Sequence, residues 1–360
     1  MGLPASKSSL WRCLVAGAIA TLACSAQAAY DQPALTEAPE IALQQRFQTD
    51  LRKVEGDASF FTPVAGVAWP CEVSQLQQYQ AAGLQMAIPE EREKIRKMSR
   101  KILRDSGFDA SQAGNSIPAY SNIVIHPVRA DCKDGKLDGD VEVLASYETL
   151  METVSTMPFN DKAVKMTSRF VSTESHRSVT RFEAGEYKGP RTSIKRTFNR
   201  HSTTYDDAAV AKMLSHAQPP EVKEPNLIFN YPPDAGRGLT GTFTVTTTPK
   251  FSAGLLGMST KFERGVNTSF MENSTDVMRM EMYTGPQLTV VSTTPSRDGK
   301  PHGEQVTLSE NYLRKNNLRM DQIPGMEQAR IVTYKGQEMI EKRMCFIEGE
   351  IVKTAVCPKD

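Results

Sequence analysis

The sequence predicts a mainly β protein of the α+β kind, antiparallel and rich in hairpins, with an N-terminal helical portion. Three observations carry this. Apolar residues recur every three to four positions before about residue 120 and every second position after it. Glycines punctuate the short polar gaps between alternating segments, Gly135, Gly139, Gly299 and Gly303 among them, where a hairpin turn needs positive φ. One stretch, 218–235, holds Pro219, Pro220, Pro225, Pro232 and Pro233 and reads as an extended connector between two β-rich parts.

The chain opens on a basic start (Lys7, Arg12), an apolar run over 14–23 and the small-residue site Ala26-Gln27-Ala28, the three parts of a secretory signal. Residues 1–28 are therefore expected to be removed on export to the periplasm. A second reading makes Cys24 a lipidated N-terminus that anchors the protein in the envelope, and membrane association is expected only in that case. Removal of Lys7 and Arg12 leaves 41 basic side chains against 42 acidic ones. Such a balance argues against a nucleic-acid partner, whose phosphates demand a concentrated positive excess.

From residue 29 to 120 the chain reads as helical. Over 40–55, Leu43, Phe47, Leu51 and Val54 form one stripe ending at Gly56, and Ser74 can cap a short helix carrying Leu76 and Tyr79. A third helix spans 89–105, with Pro89 in its first turn, Glu90, Glu91 and Glu93 at its positive end, a stop at Gly107 and an expected buried stripe of Ile95, Met98 and Ile102. Its Arg92, Lys94, Arg96, Lys97, Arg100, Lys101 and Arg104 read first as a solvated face, with an acidic partner or membrane surface as the alternative.

Residues 121–217 form a β-rich part, with strands expected over 122–128, 140–147, 163–170, 177–182 and 192–198, then a helix over 206–216. The C-terminal β-rich part, 236–360, offers strands over 240–248, 276–283, 287–293, 305–308, 329–334 and 341–347. Four cysteines lie beyond the leader: Cys71, Cys132, Cys345 and Cys357. In an exported chain they imply two disulfides, and proximity in sequence favours Cys71 with Cys132 and Cys345 with Cys357 among three connectivities. The second pair carries a geometric condition. A two-residue turn at Glu348-Gly349 sets Cys345 opposite Val352, so the chain must double back after Lys353 for Cys357 to reach it.

The segments Asp134-Gly135-Lys136-Leu137-Asp138-Gly139-Asp140 and Asp298-Gly299-Lys300-Pro301-His302-Gly303-Glu304 share one pattern, and Gly185-Glu186-Tyr187-Lys188-Gly189 and Tyr334-Lys335-Gly336 are looser copies. Two glycines four apart bracket a turn in each full copy. These units resemble MORN repeats, short Gly-punctuated hairpins that stack into an open sheet, although they do not fall on one period. Together with the leader and the paired-Cys ending, they resemble exported Gram-negative immunity proteins that neutralise type VI secretion phospholipase effectors. That resemblance implies inhibition of a secreted lipase-like toxin by direct protein–protein binding, with no catalysis and no cofactor.

No Gly-x-Ser-x-Gly, His-Glu-x-x-His, Walker or dinucleotide pattern occurs, and Gly236 to Gly241 has the wrong spacing for a phosphate loop. An envelope hydrolase with an unrecognised site built on His176 or His201 stands as the alternative. So does a copper-binding role for Met278, Met280 and Met282, whose thioethers share one strand face. The competing account makes those methionines the buried face of their strand and is favoured, because methionine is an ordinary core residue.

Overall fold

The computed structural model describes residues 30–105, 118–160, 162–214, 222–233, 238–254, 257–274, 276–298, 300–316, 318–320, 329–352 and 357. The leader 1–28, Cys24 within it, and Gly299 lie outside this set. In chain order the helices are α1 (Ala38–Gly56), α2 (Gln75–Ala81), α3 (Pro89–Asp105), α4 (Ala208–Leu214) and α5 (Tyr312–Lys315), with a 3-10 turn at Gln85–Ala87. The strands are β1 (Ala119–Arg129), β2 (Cys132–Lys133), β3 (Lys136–Leu137), β4 (Gly139–Phe159), β5 (Lys162–Glu183), β6 (Glu186–Tyr205), β7 (Asn226–Tyr231), β8 (Leu239–Gly254), β9 (Gly257–Asn273), β10 (Val277–Thr284), β11 (Gln287–Arg297), β12 (Lys300–Pro301), β13 (Gly303–Glu310), β14 (Arg330–Tyr334), β15 (Gln337–Ile347) and β16 (Glu350–Val352).

Fourteen of these form one antiparallel sheet in the order β1-β4-β5-β6-β7-β8-β9-β10-β11-β13-β15-β14, with β12 beside β11 and β16 beside β15; β2 and β3 pair separately. The mainly β architecture and its hairpin connections therefore agree with the sequence. Two differences are instructive. The expected strands over 163–170 and 177–182 are one strand of 22 residues, β5. And β7 lies inside the Pro-rich stretch 218–235, so the sheet continues through it. Leu227, Phe229 and Tyr231 alternate there between Pro225 and Pro232, and both prolines fall outside the six hydrogen-bonded residues.

Helices cover the sheet on opposite faces at different places. Phe47 of α1 stacks on Phe243 at 4.5 Å between ring centroids and meets the edge of Phe229 at 5.1 Å. Phe229 faces Ile194 across β6/β7, and Ile194 faces Arg177 across β5/β6, so all three point to the α1 side. Ser178, next along β5, points to the other side, where its hydroxyl and that of Thr180 donate to the Ala81 carbonyl of α2 at 2.7 and 2.8 Å. Gly241 lies directly beneath Leu43 of α1, and a Cβ there would come within 3.1 Å of it. The absent side chain lets helix and strand approach.

The α2 side has its own core: Ala81, Ala82, Leu84 and Ala87 pack on Leu137, Val141, Val143, Ala145, Tyr147 and Phe182. Ser74 and Gln77 form a reciprocal capping box at the start of α2, and Gln77 Nε2 also donates to the Gly185 carbonyl at 2.9 Å. α3 begins at Pro89 as its proline and glutamates require, but its apolar stripe is not buried as expected. Met98 is 58% exposed and Ile95 only half-buried, and α3 packs chiefly against the 3-10 turn. The Ile102 side chain lies outside the described residues.

Candidate functional site

The largest departure from ordinary sheet burial is in β4, β5 and β6 beyond the reach of α2. A sheet strand with one covered face alternates between buried and exposed residues. Residues 152–156 of β4 and 198–202 of β6 do not: each run is exposed at five successive positions, so neither face is covered there. We call this region the blade. It presents Val154 (42% exposed) and Phe198 (42%) on the α1 side and Phe170 (40%) on the other, as the β4–β5–β6 register assigns them.

Polar cross-strand pairs hold the blade together. Arg169 Nε lies 3.3 Å from Glu152 across β4/β5, Ser172 donates to Asn199 at 2.6 Å, and the Ser168 and Thr203 hydroxyls approach to 3.4 Å. His201 stacks on Phe170 with centroids 4.3 Å apart, and its Nε2 is 3.2 Å from the Thr203 hydroxyl. Pairs of this kind each stabilise a strand ladder by about 0.2–1 kcal/mol and add to the hydrogen bonds that continue from the covered part of the same three strands.

His176 sits differently. It is buried under α2 beside the Gly83 turn, and neither ring nitrogen has a hydrogen-bond partner. Burial, reinforced by the Lys195 ammonium, lowers its pKa to about 3, so the imidazole is neutral at physiological pH. Glu174 and Ser178 share its strand face, but Glu174 engages Lys195 at 2.8 Å and Ser178 donates to the Ala81 carbonyl. The three side chains are not linked as a proton relay and do not open on a cleft.

A cleft of about 480 Å³ does open between α1 and the start of the blade strands, lined by Arg46, Asp50, Asp140, Glu142, Arg177 and Arg191, with others. Its charges are largely spent on each other. Arg177 Nε donates to Glu142 at 2.7 Å and its Nη1 to the Phe60 carbonyl at 3.2 Å, and Arg46 donates to the Thr192 hydroxyl.

A buried ionic knot lies further along the α1 face. Glu281, 1% exposed, accepts from Tyr283 at 2.6 Å, from Lys335 at 2.9 and 3.1 Å, from Tyr334 at 3.1 Å and from Arg279. Burial opposes its ionised form, but the hydrogen bonds from Tyr283, Lys335 and Arg279 outweigh it and hold the pKa down to about 2. Arg279 also lies 3.8 Å from Glu40 of α1, whose pKa is raised by burial and by the Glu281 charge. The knot ties α1, β10 and the β14–β15 turn together, with Glu281 ionised near neutral pH.

Cys71 bonds Cys132 and Cys345 bonds Cys357, the favoured connectivity. Cys345 does face Val352 across β15/β16, and Cys357 returns to a Cα separation of 5.4 Å. Gly135 (φ 74°) follows Asp134 (φ 52°) in the β2–β3 turn, and Gly139 (φ 89°) opens β4; Gly303 (φ 103°) likewise opens β13 after the β11–β12 hairpin. Gly185 and Gly189 repeat the arrangement between β5 and β6, with register shifts beside Gly189. Met278, Met280 and Met282 share one face, but not the buried one: Arg279, Glu281 and Tyr283 point to the α1 side, and the methionines point away from it. Alternation alone leaves open which of two faces is covered, and the tyrosine and ion pairs of the other set take the core.

Among the described residues, no group of three or more His, Cys, Asp or Glu side chains is placed to hold a metal ion, and no helix is long and apolar enough to cross a membrane. Comparison with family models, with curated proteins and with solved structures finds no match for this chain.

Proposed function

We propose that this protein acts by gripping a macromolecular partner on the blade of β4–β6, and that it serves as an exported immunity or inhibitor protein that neutralises a lipase-like toxin in the periplasm. One observation carries the reading: β4 and β6 are each exposed at five successive positions on either side of a half-buried to exposed stretch of β5, and together the three strands present Val154, Phe170 and Phe198 to solvent. Apolar side chains rimmed by polar ones on an open surface mark interaction sites. The sheet edges favour a face over an edge as the recognition surface. β1 carries Pro127 and two register shifts, and β14 is only five residues long, both devices that discourage strand addition.

The leader, the two disulfides and the Gly-paired hairpins support placement in an oxidising compartment and a MORN-like stacking of hairpin units. The test pairs binding with protection. The protein is expected to bind the product of a neighbouring effector gene and to rescue cells expressing that effector. The double variant Val154→Asp/Phe198→Asp is expected to lose both while unfolding at nearly the same denaturant concentration. A variant that still binds and protects contradicts the blade as the grip.

A further inference from the structure

The face of β9 and β10 turned away from α1 gathers four methionines, only three of which are neighbours in sequence. Met278, Met280 and Met282 alternate along β10, and Met271 of β9 is the direct cross-strand partner of Met280. Residues directly opposite in an antiparallel pair have Cα atoms about 4.5–5.5 Å apart, and residues two apart on one strand are about 7 Å apart. Each methionine reaches its sulfur through three rotatable bonds, so Met271, Met280 and one of Met278 or Met282 can converge on a single ion without moving the backbone.

The surroundings select what that ion is. Asn273 and Thr294 flank Met278, Ser292 flanks Met280, and Ser269 and Val290 flank Met282, so every adjoining rung is neutral. Among the described residues none of these direct cross-strand partners is a carboxylate that would favour a hard divalent cation, whereas thioethers are soft ligands that prefer monovalent copper and its analogues. The cluster is also reachable: Met271 is 50% and Met282 40% exposed, and the other two are half-buried. These methionines point away from the α1-covered face and so are not core filling on that side.

We propose that Met271, Met280 and a flanking Met278 or Met282 form a surface thioether site for a soft monovalent cation, cuprous or silver ion. This site lies on strands distinct from the blade and does not rest on the inhibitor reading. Titration of the full chain with silver ion, and with cuprous ion against a competing chelator, tests it. Cys13→Ser and Cys24→Ser remove the leader thiols, and the other four cysteines are bonded in disulfides.

The expected result is one equivalent bound and an affinity loss of at least about 100-fold in Met271→Leu/Met280→Leu, the upper end of what loss of a mere supporting partner costs a metal site. Leucine keeps the apolar bulk, so that loss isolates the sulfur from any apolar docking role, and volume-conserving changes of this kind are well tolerated by the fold. Met344→Leu, on the same face three strands away, is expected to leave binding unchanged. Absence of stoichiometric binding by the parent chain, or equal binding by the double leucine variant, overturns the proposal.

Discussion

Under α2, β5 alternates strictly: Glu174, His176, Ser178, Thr180 and Phe182 are buried and the residues between them are half-buried. Towards the blade, the same strand and its two neighbours keep their register and hydrogen bonds but lose their cover. The helix-covered part owes its stability to packing, as the buried alanines of α2 against Val141, Val143 and Phe182 make plain. The blade owes its stability to the continuing ladder and to pairs such as Arg169 with Glu152 and Ser172 with Asn199. One set of strands thus holds a rigid anchor and an open surface in fixed relation, the arrangement a recognition site requires.

If covered and uncovered regions differ as described, substitutions in them must differ in cost. The largest effect is expected at Phe47, fully buried between Phe243 and Phe229. Phe47→Ala should lower unfolding free energy by about 3–5 kcal/mol in a denaturant titration. A loss under about 1 kcal/mol would mean that α1 is not a structural anchor.

A second, smaller effect sharpens the comparison through pH. The pKa of Glu281 is held at about 2, below its ordinary 4.5, so its contribution is fully present above the ordinary value and is lost as pH falls towards the folded one. The expected loss is on the order of 3 kcal/mol between about pH 5 and pH 2. Glu40 works in the opposite direction, since its raised pKa makes protonation favour the folded state. Urea midpoints across that window should fall steeply in the parent chain and more shallowly in Glu281→Gln, which has no such proton to take up. Equal slopes would remove the knot from the stability of the α1 face.

The smallest effect belongs to the blade. Phe198→Ser should change unfolding free energy by less than about 1 kcal/mol, in the range of surface substitutions. A cost approaching that of Phe47→Ala would show that the blade is covered in solution.

How much of this could be read beforehand depended on whether the signal was local. The 89–105 helix was legible to the residue, because proline, glutamates and periodicity all lie within it. The hairpin turns were legible through their glycines, and the opposition of Cys345 and Val352 followed from a two-residue turn at Glu348-Gly349. β9 and β7 were not found. β9 alternates Asn267 and Ser269 with Val266, Thr268 and Phe270, a weak apolar period, and β7 is masked by prolines on both sides.

The blade was invisible for a more basic reason. Residues 171–176, Val-Ser-Thr-Glu-Ser-His, lack apolar alternation and read as a gap between two strands, yet cross-strand hydrogen bonds carry β5 straight through them. Which face of β10 is covered was likewise set by α1, Tyr283 and Lys335, none of which is encoded in the Met-x-Met-x-Met pattern itself.

Amide hydrogen exchange of the chain with and without the neighbouring effector tests the central claim most directly. The account predicts new protection confined to residues 152–156, 168–173 and 198–202, with the amides beneath α2 unchanged. Protection that appears elsewhere on the sheet while these three runs exchange as they do in the free protein would contradict it.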